Sequence, residues 1–178
     1  PRVLLIPGVG MLTAGKDPTD AARVAAIYRH AMAIMQDAAR LGGYTAVSER
    51  EAFDVEYWPL ELYKLSLAPP EAELAREIGV ITGAAGGIGR AVARHLIDRG
   101  ASVMVTDVDR RAVERLAEEL NQGTGRRAAL GVVMDVTRER SVARAFDALL
   151  RAFGGLDFLV SNAGVAHVAA VDRLRLAE

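Results

Sequence analysis

The sequence predicts an α/β fold: a partial, doubly wound parallel sheet of about four strands, preceded by a mostly helical segment. Three observations lead to this prediction. After residue 70, short apolar runs alternate with amphipathic helical patterns. Those runs are continuously apolar, as in strands that are buried on both faces. Before residue 70 the pattern is mainly helical and ends at the rigid pair Pro69–Pro70, so we expect two regions, 1–70 and 71–178.

The first region begins with a short strand, Val3–Ile6, and a glycine-rich turn, PGVGMLTAGKD. A long helix is expected from about Pro18 to Arg40, with Asp17 or Thr19 as its cap. A glycine pair shortly after Arg40 ends it. Its apolar residues recur at helical spacing: Val24, Ile27, Tyr28, Met32, Ile34 and Met35.

A second helical stretch follows at AFDVEYWPLELYKLSL. Ser48 and Glu51 form a capping-box pattern at its start. Pro59 is expected to kink or break it. The aromatic residues Tyr57, Trp58 and Tyr63 favour a core on which domains dock, and an aromatic binding surface is the alternative.

The second region alternates strands and helices. In order, we expect a strand ending at 80–82, a helix over 87–99 that Gly100 ends, and a strand over 101–107. A helix over 110–120 and a strand over 128–136 follow. The last two elements are a helix over 138–153, with Thr137 as a candidate cap, and a strand over 156–161. The faces expected to turn inward are Ile88, Ala91, Val92 and Leu96 in the first helix, and Val113, Leu116, Ala117 and Leu120 in the second.

Composition excludes several classes of function. The chain has 178 residues, a formal net charge of −1 and no cysteine. Near-neutral charge argues against a nucleic-acid or acidic-membrane partner. The lack of cysteine excludes a disulfide scaffold and thiolate metal sites, and it fits a reducing compartment. Because no apolar stretch spans a bilayer and no signal peptide is present, we expect a cytoplasmic protein without a membrane partner.

Two further features concern metals and the chain ends. The three histidines, His30, His95 and His167, lack ligand spacing, so no metal site is predicted. The sequence opens at Pro1 inside a strand pattern and ends in VDRLRLAE, the approach to an uncompleted helix. We therefore expect a fragment of a longer protein.

Glycines cluster between the first strand and the first helix of the second region. Gly83, Gly86, Gly87 and Gly89 lie within seven residues; we call residues 83–89 the glycine loop. Glycine is costly inside strands and helices, so the cluster needs a reason. A helix N-terminus at the carboxyl end of a parallel strand suits a pyrophosphate, and a Cβ there would hold the phosphate away. A tight turn without a ligand is the alternative.

The other strand ends carry small or polar residues on the same rim. Asp107 closes the second strand, eighteen residues after Gly89, where a carboxylate accepts hydrogen bonds from an adenosine ribose. Asp135 and Val136 close the third strand. The fourth is closed by Asn162, Ala163 and Gly164. Together with the glycine loop, these residues favour a dinucleotide site over a simple turn.

These motifs resemble the short-chain dehydrogenase/reductase family, whose fold is a Rossmann sheet. TGAAGGIG fits its Thr-Gly-x-x-x-Gly-x-Gly motif, and Asp107, Asp135–Val136 and Asn162-Ala163-Gly164 match later landmarks in order and spacing. The resemblance implies NAD as cofactor. It also implies that Gly83, Gly87, Ile88 and Gly89 line the pyrophosphate, Asp107 holds the adenosine ribose, Asp135 and Val136 flank the adenine, and Asn162, Ala163 and Gly164 shape the floor near the nicotinamide-side ribose.

The family's reaction needs a serine and a Tyr-x-x-x-Lys pair, in which tyrosine transfers the hydroxyl proton. All four tyrosines precede the glycine loop, and none has a lysine four residues later. No catalytic residue is therefore assigned, and the catalytic half is expected beyond Glu178. The fragment alone is expected to be inactive. A non-catalytic, dinucleotide-binding regulatory module is the alternative.

The first region together with the second resembles bifunctional aldolase/short-chain dehydrogenase proteins. PRVLLIPGVGMLTAGKD and SEREAFDVEYWPLELYKLSLAPP carry this resemblance. It implies that residues 1–70 are the C-terminal part of a class II aldolase-like domain with a helical connector, and that the metal ligands lie before Pro1. It further implies rhamnose catabolism: cleavage of rhamnulose 1-phosphate, oxidation of lactaldehyde, and a homo-oligomer that binds small-molecule substrates.

The end of the second strand also predicts the cofactor's type. Asp107 is a carboxylate where the 2′-phosphate of NADP would sit, and Val108, the next residue, cannot neutralise that phosphate. Arg110 and Arg111 could swing back toward it. We expect NAD(H) to bind more tightly than NADP(H).

Overall fold

The computed structural model describes residues 2–166. The chain divides between Glu73 and Leu74 into two compact units, here called unit 1 and unit 2. Among the described residues, no helix is long and apolar enough to cross a membrane.

Unit 1 holds a β-hairpin and three helices. Its elements are β1 (Val3–Ile6), β2 (Gly10–Thr13), α1 (Pro18–Arg40), α2 (Glu49–Glu56) and α3 (Pro59–Ser66). The strand β2 was not predicted; half of the expected glycine-rich turn pairs antiparallel with β1, from Ile6↔Gly10 to Val3↔Thr13. Gly8 and Gly10 have φ of 75° and 129°, values that glycine adopts without strain, and they reverse the chain there.

The ends of α1 follow the predicted chemistry. Asp17 is the cap, and its Oδ1 accepts a hydrogen bond from the Asp20 N–H at 2.8 Å. The carboxylate of Asp20 is itself buried and ties the hairpin to the helix, because it accepts from Arg2 Nη2 at 3.1 Å and from the Lys16 N–H at 3.2 Å. A polar network therefore joins the helix to the hairpin.

Pro59 breaks the second helical stretch. The capping box of Ser48 and Glu51 begins α2 as predicted, and α3 starts anew at Pro59. Tyr57, Trp58 and Tyr63 are each more than half exposed, so a docking core and an aromatic binding surface both stay open for them. The ring of Tyr57 stacks on Phe53, with centroids 4.5 Å apart.

Unit 2 confirms the predicted α/β class. Its elements are β3 (Ile78–Ile81), α4 (Gly87–Asp98), β4 (Ser102–Asp107), α5 (Arg110–Thr124), β5 (Ala129–Val133), α6 (Glu139–Phe153) and β6 (Phe158–Val160). The strands form one parallel sheet in the order β5-β4-β3-β6. The ends of elements differ from the predicted ones by a few residues, where sequence patterns carry least information.

Both faces of the sheet are covered, which explains the continuously apolar strands. On one face Ile81, Val103 and Val105 pack with buried residues of α4 and α5. On the other, Val80 and Met104 pack with Ala145 and Leu149 of α6. Since successive side chains of a strand point to opposite faces, most positions in such a strand are apolar, and the buried hydroxyl of Thr106 in β4 is hydrogen-bonded to the Ile81 carbonyl.

The predicted inward face of α4 is wrong in part. Ile88 is 75% exposed and Ala91 is also exposed. The buried residues are Gly89, Ala93 and Ile97, and the helix is rotated to bring this stripe onto the sheet. The stripe begins at a glycine, which an apolar-periodicity search does not weigh. The predicted face of α5 is confirmed: its buried residues are Val113, Leu116, Ala117 and Leu120.

Thr137 does not cap α6. Arg138 occupies the cap position, and no side chain supplies a cap hydrogen bond. The Thr137 hydroxyl donates instead to Asp135 Oδ1 at 2.6 Å. Its short side chain serves the preceding turn rather than the helix.

Candidate functional site

The carboxyl ends of β3, β4 and β6 meet on one rim of the sheet beside the glycine loop. The chain runs outward from β3 to β4 and β5, and then returns to place β6 on the other side of β3. The strand order therefore reverses between β3 and β6. In open α/β sheets, ligands bind in the crevice at this reversal.

Two glycines of the loop are required by the protein's own packing. Gly83 has φ of 61°, and a Cβ on it would lie 2.8 Å from Ala163 Cα. A Cβ on Gly89 would lie 2.7 Å from Ala84 Cα and 2.8 Å from Asn162 Nδ2. The loop thus lies in close contact with its own backbone and with the residues that follow β6, and a larger residue at either position would displace it.

Gly87 is different because no atom of the described residues lies within 4 Å of the position of its Cβ. It is the first residue of α4, and the cap residue Gly86 has no side chain to bond the helix's first N–H groups. Neither packing nor capping explains a glycine at 87. An open helix N-terminus with this composition fits the close approach of an anionic group such as a phosphate.

Asn162 and Thr82 hold the glycine loop to β6. The Nδ2 group of Asn162 donates to the carbonyls of Thr82 at 2.9 Å and Gly83 at 3.1 Å. In return, the buried Thr82 Oγ1 accepts from the N–H groups of Asn162 and Ala163, both at 2.9 Å. Asn162, Ala163, Gly83 and Gly89 therefore form one packed cluster. Gly164 is exposed, and no atom in the described part of the chain lies within 4 Å of the position of a Cβ on it.

Thr82 was not among the predicted site residues. Its hydroxyl matters because β6 lies beside β3, a pairing that the local sequence does not reveal. The available signal was its position directly before the first glycine, at the end of a buried strand.

Asp107 ends β4 and faces the glycine loop. Its Oδ2 accepts a hydrogen bond from the Ala85 N–H at 3.1 Å, and its Oδ1 accepts from the Asp109 N–H at 3.2 Å. Its carbonyl accepts from the Met134 N–H at 2.9 Å. The carboxylate is thus fixed on the rim, and ionised oxygens retain lone pairs for further donors.

Asp135 is committed mainly to its own turn. The Thr137 hydroxyl and then the Thr137 N–H hold the pKa of the Asp135 carboxyl below 3.8, and the Arg138 guanidinium contributes at 3.2 Å. Val136 is almost half exposed on the same rim. Asp135 therefore stays ionised at neutral pH, and Val136 offers the apolar surface beside it.

The described residues contain no cluster of metal-ligating side chains. His167 lies outside the described residues. Residues 74–178 include neither tyrosine nor lysine, so the sequence of this stretch holds no Tyr-x-x-x-Lys pair. The rim therefore offers backbone N–H groups and carboxylates to a ligand, whereas residues 74–178 supply no tyrosine for proton transfer.

Comparison with known proteins divides the chain in the same way. Residues 1–65 match the family model described as the second domain of class II aldolase. Residues 77–178 match the model of short chain dehydrogenase. The first match covers about a third of the chain and the second more than half.

Relatives are similar over one or both parts. The chain is 46% identical over all 178 residues to the uncharacterized oxidoreductase YuxG of Bacillus subtilis, of which it covers 26%. It is 47% identical over 93 residues to cis-4-hydroxycyclohexanecarboxylate dehydrogenase of Sinomonas cyclohexanicum, covering 52% of this chain and 36% of that protein. It is 39% identical over 100 residues to D-threitol dehydrogenase of Mycolicibacterium smegmatis, covering 56% and 38%. The chain thus spans only about a quarter to two fifths of these relatives.

A solved structure is similar to unit 2. The crystal structure of 3-ketoacyl-(acyl-carrier-protein) reductase from Brucella melitensis, complexed with NADH, aligns with a TM-score of 0.51 and 35% identity. The alignment covers 56% of this chain and 39% of that one.

Proposed function

The chain belongs to the short chain dehydrogenase family, and from this premise we propose that residues 71–178 are the NAD-binding half of an oxidoreductase domain. We assign residues 1–70 to the end of a class II aldolase-like domain and its connector. The observation that carries the proposal is Gly87: an open glycine at a helix N-terminus without a side-chain cap, at the point where the strand order reverses.

Each part of the rim then has a task. The residues proposed to contact the cofactor are Gly83, Gly87, Ile88, Gly89, Asp107, Asp135, Val136, Asn162, Ala163 and Gly164. The glycine loop binds the pyrophosphate through backbone N–H groups, and the Asp107 carboxylate accepts from the ribose hydroxyls. Asp135 and Val136 flank the adenine. When bound, the nicotinamide ring supplies the hydride acceptor, and Asn162, Ala163 and Gly164 shape the floor beneath that end.

The fixed position of Asp107 supports NAD(H) over NADP(H). Two backbone N–H groups hold its carboxylate in place, so it does not turn away from a 2′-phosphate. Arg110 is paired with Glu114 at 3.4 Å. Two like charges at about 4 Å repel by about 4 kcal/mol at an effective dielectric of about 20, an upper figure. Even half of that exceeds a tenfold difference in affinity.

The proposed substrates are those that the resemblance to bifunctional aldolase/short-chain dehydrogenase proteins implies. The aldolase part would cleave rhamnulose 1-phosphate to dihydroxyacetone phosphate and lactaldehyde, and the dehydrogenase part would oxidise the lactaldehyde. The match of residues 1–65 supports the pairing of the two activities. We place the proton donor and the aldolase metal ligands outside residues 1–178. We also propose that the full-length protein is a cytoplasmic homo-oligomer. A non-catalytic dinucleotide-binding module is the alternative.

The proposal is tested by NADH and NADPH titrations of the full-length protein, as wild type and as Gly87→Val. We expect NADH to bind at least tenfold more tightly than NADPH. We expect Gly87→Val to weaken NADH binding by tenfold or more while leaving the unfolding midpoint unchanged, because a side chain there meets ligand and not protein. Gly89→Val is the matched control, which should destabilise unit 2 itself.

Equal affinities for the two dinucleotides would contradict the proposed role of Asp107. Normal NADH binding by Gly87→Val would contradict the phosphate assignment. Turnover of lactaldehyde with NAD⁺ favours the enzyme, whereas tight binding without turnover of any small alcohol or aldehyde favours the regulatory module. Residues 1–178 alone are expected to show no turnover.

A further inference from the structure

The end of β4 holds the start of the glycine loop through three hydrogen bonds. The Thr106 hydroxyl donates to the Ile81 carbonyl at 3.1 Å, and the Thr106 carbonyl accepts from the Ala84 N–H at 2.8 Å. One residue further, the Ala85 N–H donates to the Asp107 carboxylate at 3.1 Å. The side chain of Asp107 thus continues the pairing of β3 with β4 beyond the last backbone bond.

The second carboxylate oxygen of Asp107 binds the next turn. Oδ1 accepts from the Asp109 N–H at 3.2 Å, at the start of α5. The two oxygens therefore join two turns, the one that enters α4 and the one that enters α5. Only a group with two acceptor atoms can do this. The amide of asparagine has one oxygen, and its NH₂ group would face either the Ala85 or the Asp109 N–H.

We propose that Asp107 is a positioning residue for the glycine loop as well as a contact for the ribose, an inference that rests on the proposed function. Ala85 lies two residues before Gly87, where the phosphate is proposed to bind. Releasing the Ala85 N–H frees the loop between its fixed ends, Ala84 on β4 and Gly89 on Asn162. Loss of the carboxylate then weakens phosphate binding even when the ligand has no ribose hydroxyls for it to contact.

The first test uses the full-length protein without any ligand. Residue-resolved hydrogen exchange compares wild type, Asp107→Ala and the matched control Asp109→Ala. Asp109 caps α5 through the Ala112 N–H at 3.0 Å, so the control loses a similar bond two residues away without touching the loop through its side chain. We expect exchange at Ala85 to accelerate about tenfold in Asp107→Ala, the loss of one hydrogen bond to a charged group, and to be unchanged in the control.

The second test measures binding of NADH and of its analogue with a 2′,3′-dideoxyadenosine ribose. If Asp107 positions the loop, Asp107→Ala weakens the analogue as well, by about tenfold. Unchanged affinity for the analogue, or unchanged exchange at Ala85, would overturn the proposal. If wild type binds neither dinucleotide, the proposed function fails, and the exchange result still decides whether the carboxylate holds the loop. Should Asp107→Ala not fold, Asp107→Val replaces it, since valine likewise has no acceptor for the Ala85 N–H.

Discussion

Both units contain the helix caps and turns that the local sequence predicts, but the two units differ in how their elements pack. In unit 2, large aliphatic side chains such as Ile81, Val103 and Leu149 are fully buried between the sheet and its helices. Among the described residues of unit 1, only Asp20 and Ala25 are buried. Unit 1 thus forms capped helices and a hairpin without an aliphatic core. Local sequence can therefore be sufficient for an element to form, whereas packing is needed to stabilise it.

In unit 1, the large apolar side chains lie at the surface instead of in a core. Its exposed large apolar residues are Leu4, Leu5, Ile6, Val9, Leu12, Ile27, Ile34, Leu41, Tyr44, Val47, Phe53, Val55, Tyr57, Trp58, Leu60, Leu62, Tyr63, Leu65 and Leu67. Helices of eight residues, such as α2 and α3, are marginal in water unless they pack against something. Within residues 1–178, we therefore expect unit 2 to resist unfolding at higher urea concentrations than unit 1.

The largest expected effect breaks the core of unit 2. Leu149→Ala removes a fully buried side chain from the cluster with Val80 and Met104, and should cost about 2 to 5 kcal/mol of unfolding free energy. Leu150→Ala, at the exposed neighbouring position, and Ile34→Ala in unit 1 should each stay within about 0.5 kcal/mol. The stabilities of all three variants are measured by urea unfolding of the full-length protein, monitored by hydrogen exchange of peptides from each unit. A large cost for Ile34→Ala would show that the face of α1 bearing it is covered in the full-length protein.

An intermediate effect concerns pH and unit 1. The Lys16 N–H, followed by the charges of Arg2 and Arg23, holds the pKa of the Asp20 carboxyl below 3.8. Because the folded-state pKa lies below the unfolded value, this contribution is complete above about pH 5 and is lost as the pH falls through about 4 and below. Unit 1 should therefore lose protection from exchange between pH 5 and 3, after correction for intrinsic rates. Asp20→Asn should remove most of that pH dependence, and an unchanged pH profile in this variant would refute the role of Asp20.

The smallest expected effect concerns the N-terminal caps of α2 and α5. Ser48 and Glu51 cap each other at the start of α2, and Asp109 caps α5. Ser48→Ala and Asp109→Ala should each cost about 1 kcal/mol in the helix concerned. Because α2 has no buried residue, the loss at Ser48 should appear only as faster exchange within α2, whereas the loss at Asp109 should lower the stability of unit 2 as a whole. Equal global losses would mean that the two units unfold together.

Local chemistry made much of this fold predictable. The caps Asp17 and Ser48 and the break at Pro59 depend on neighbours within four residues, so their patterns were sufficient. The strand β2 was missed because its four residues begin with a glycine and adjoin a turn. The face of α4 was misjudged because Gly89 owes its burial to Ala84 and Asn162, one of them distant in sequence.

In the candidate site, too, local features could be predicted from the sequence and long-range contacts could not. The glycine loop and the polar strand ends could be predicted, since residue type and spacing reveal them. The bond from Asp107 to Ala85 and the role of Thr82 could not, because they depend on which strands are neighbours. The position of Ile88 is exposed as a ligand contact would be, although its periodicity had indicated a core residue.

The neighbouring positions of β3 and β6 have a consequence for synthesis on the ribosome. Residues that pair across these strands are separated by 79 positions, as Ile78 and Asp157 are. At about 5 to 20 residues per second, β3 leaves the ribosome about 4 to 16 seconds before its partner. During that interval one edge of β3 is open, and the Thr82 and Gly83 carbonyls lack the Asn162 amide that later binds them. The glycine loop is thus encoded early in unit 2 but closes only when nearly all of unit 2 has been made.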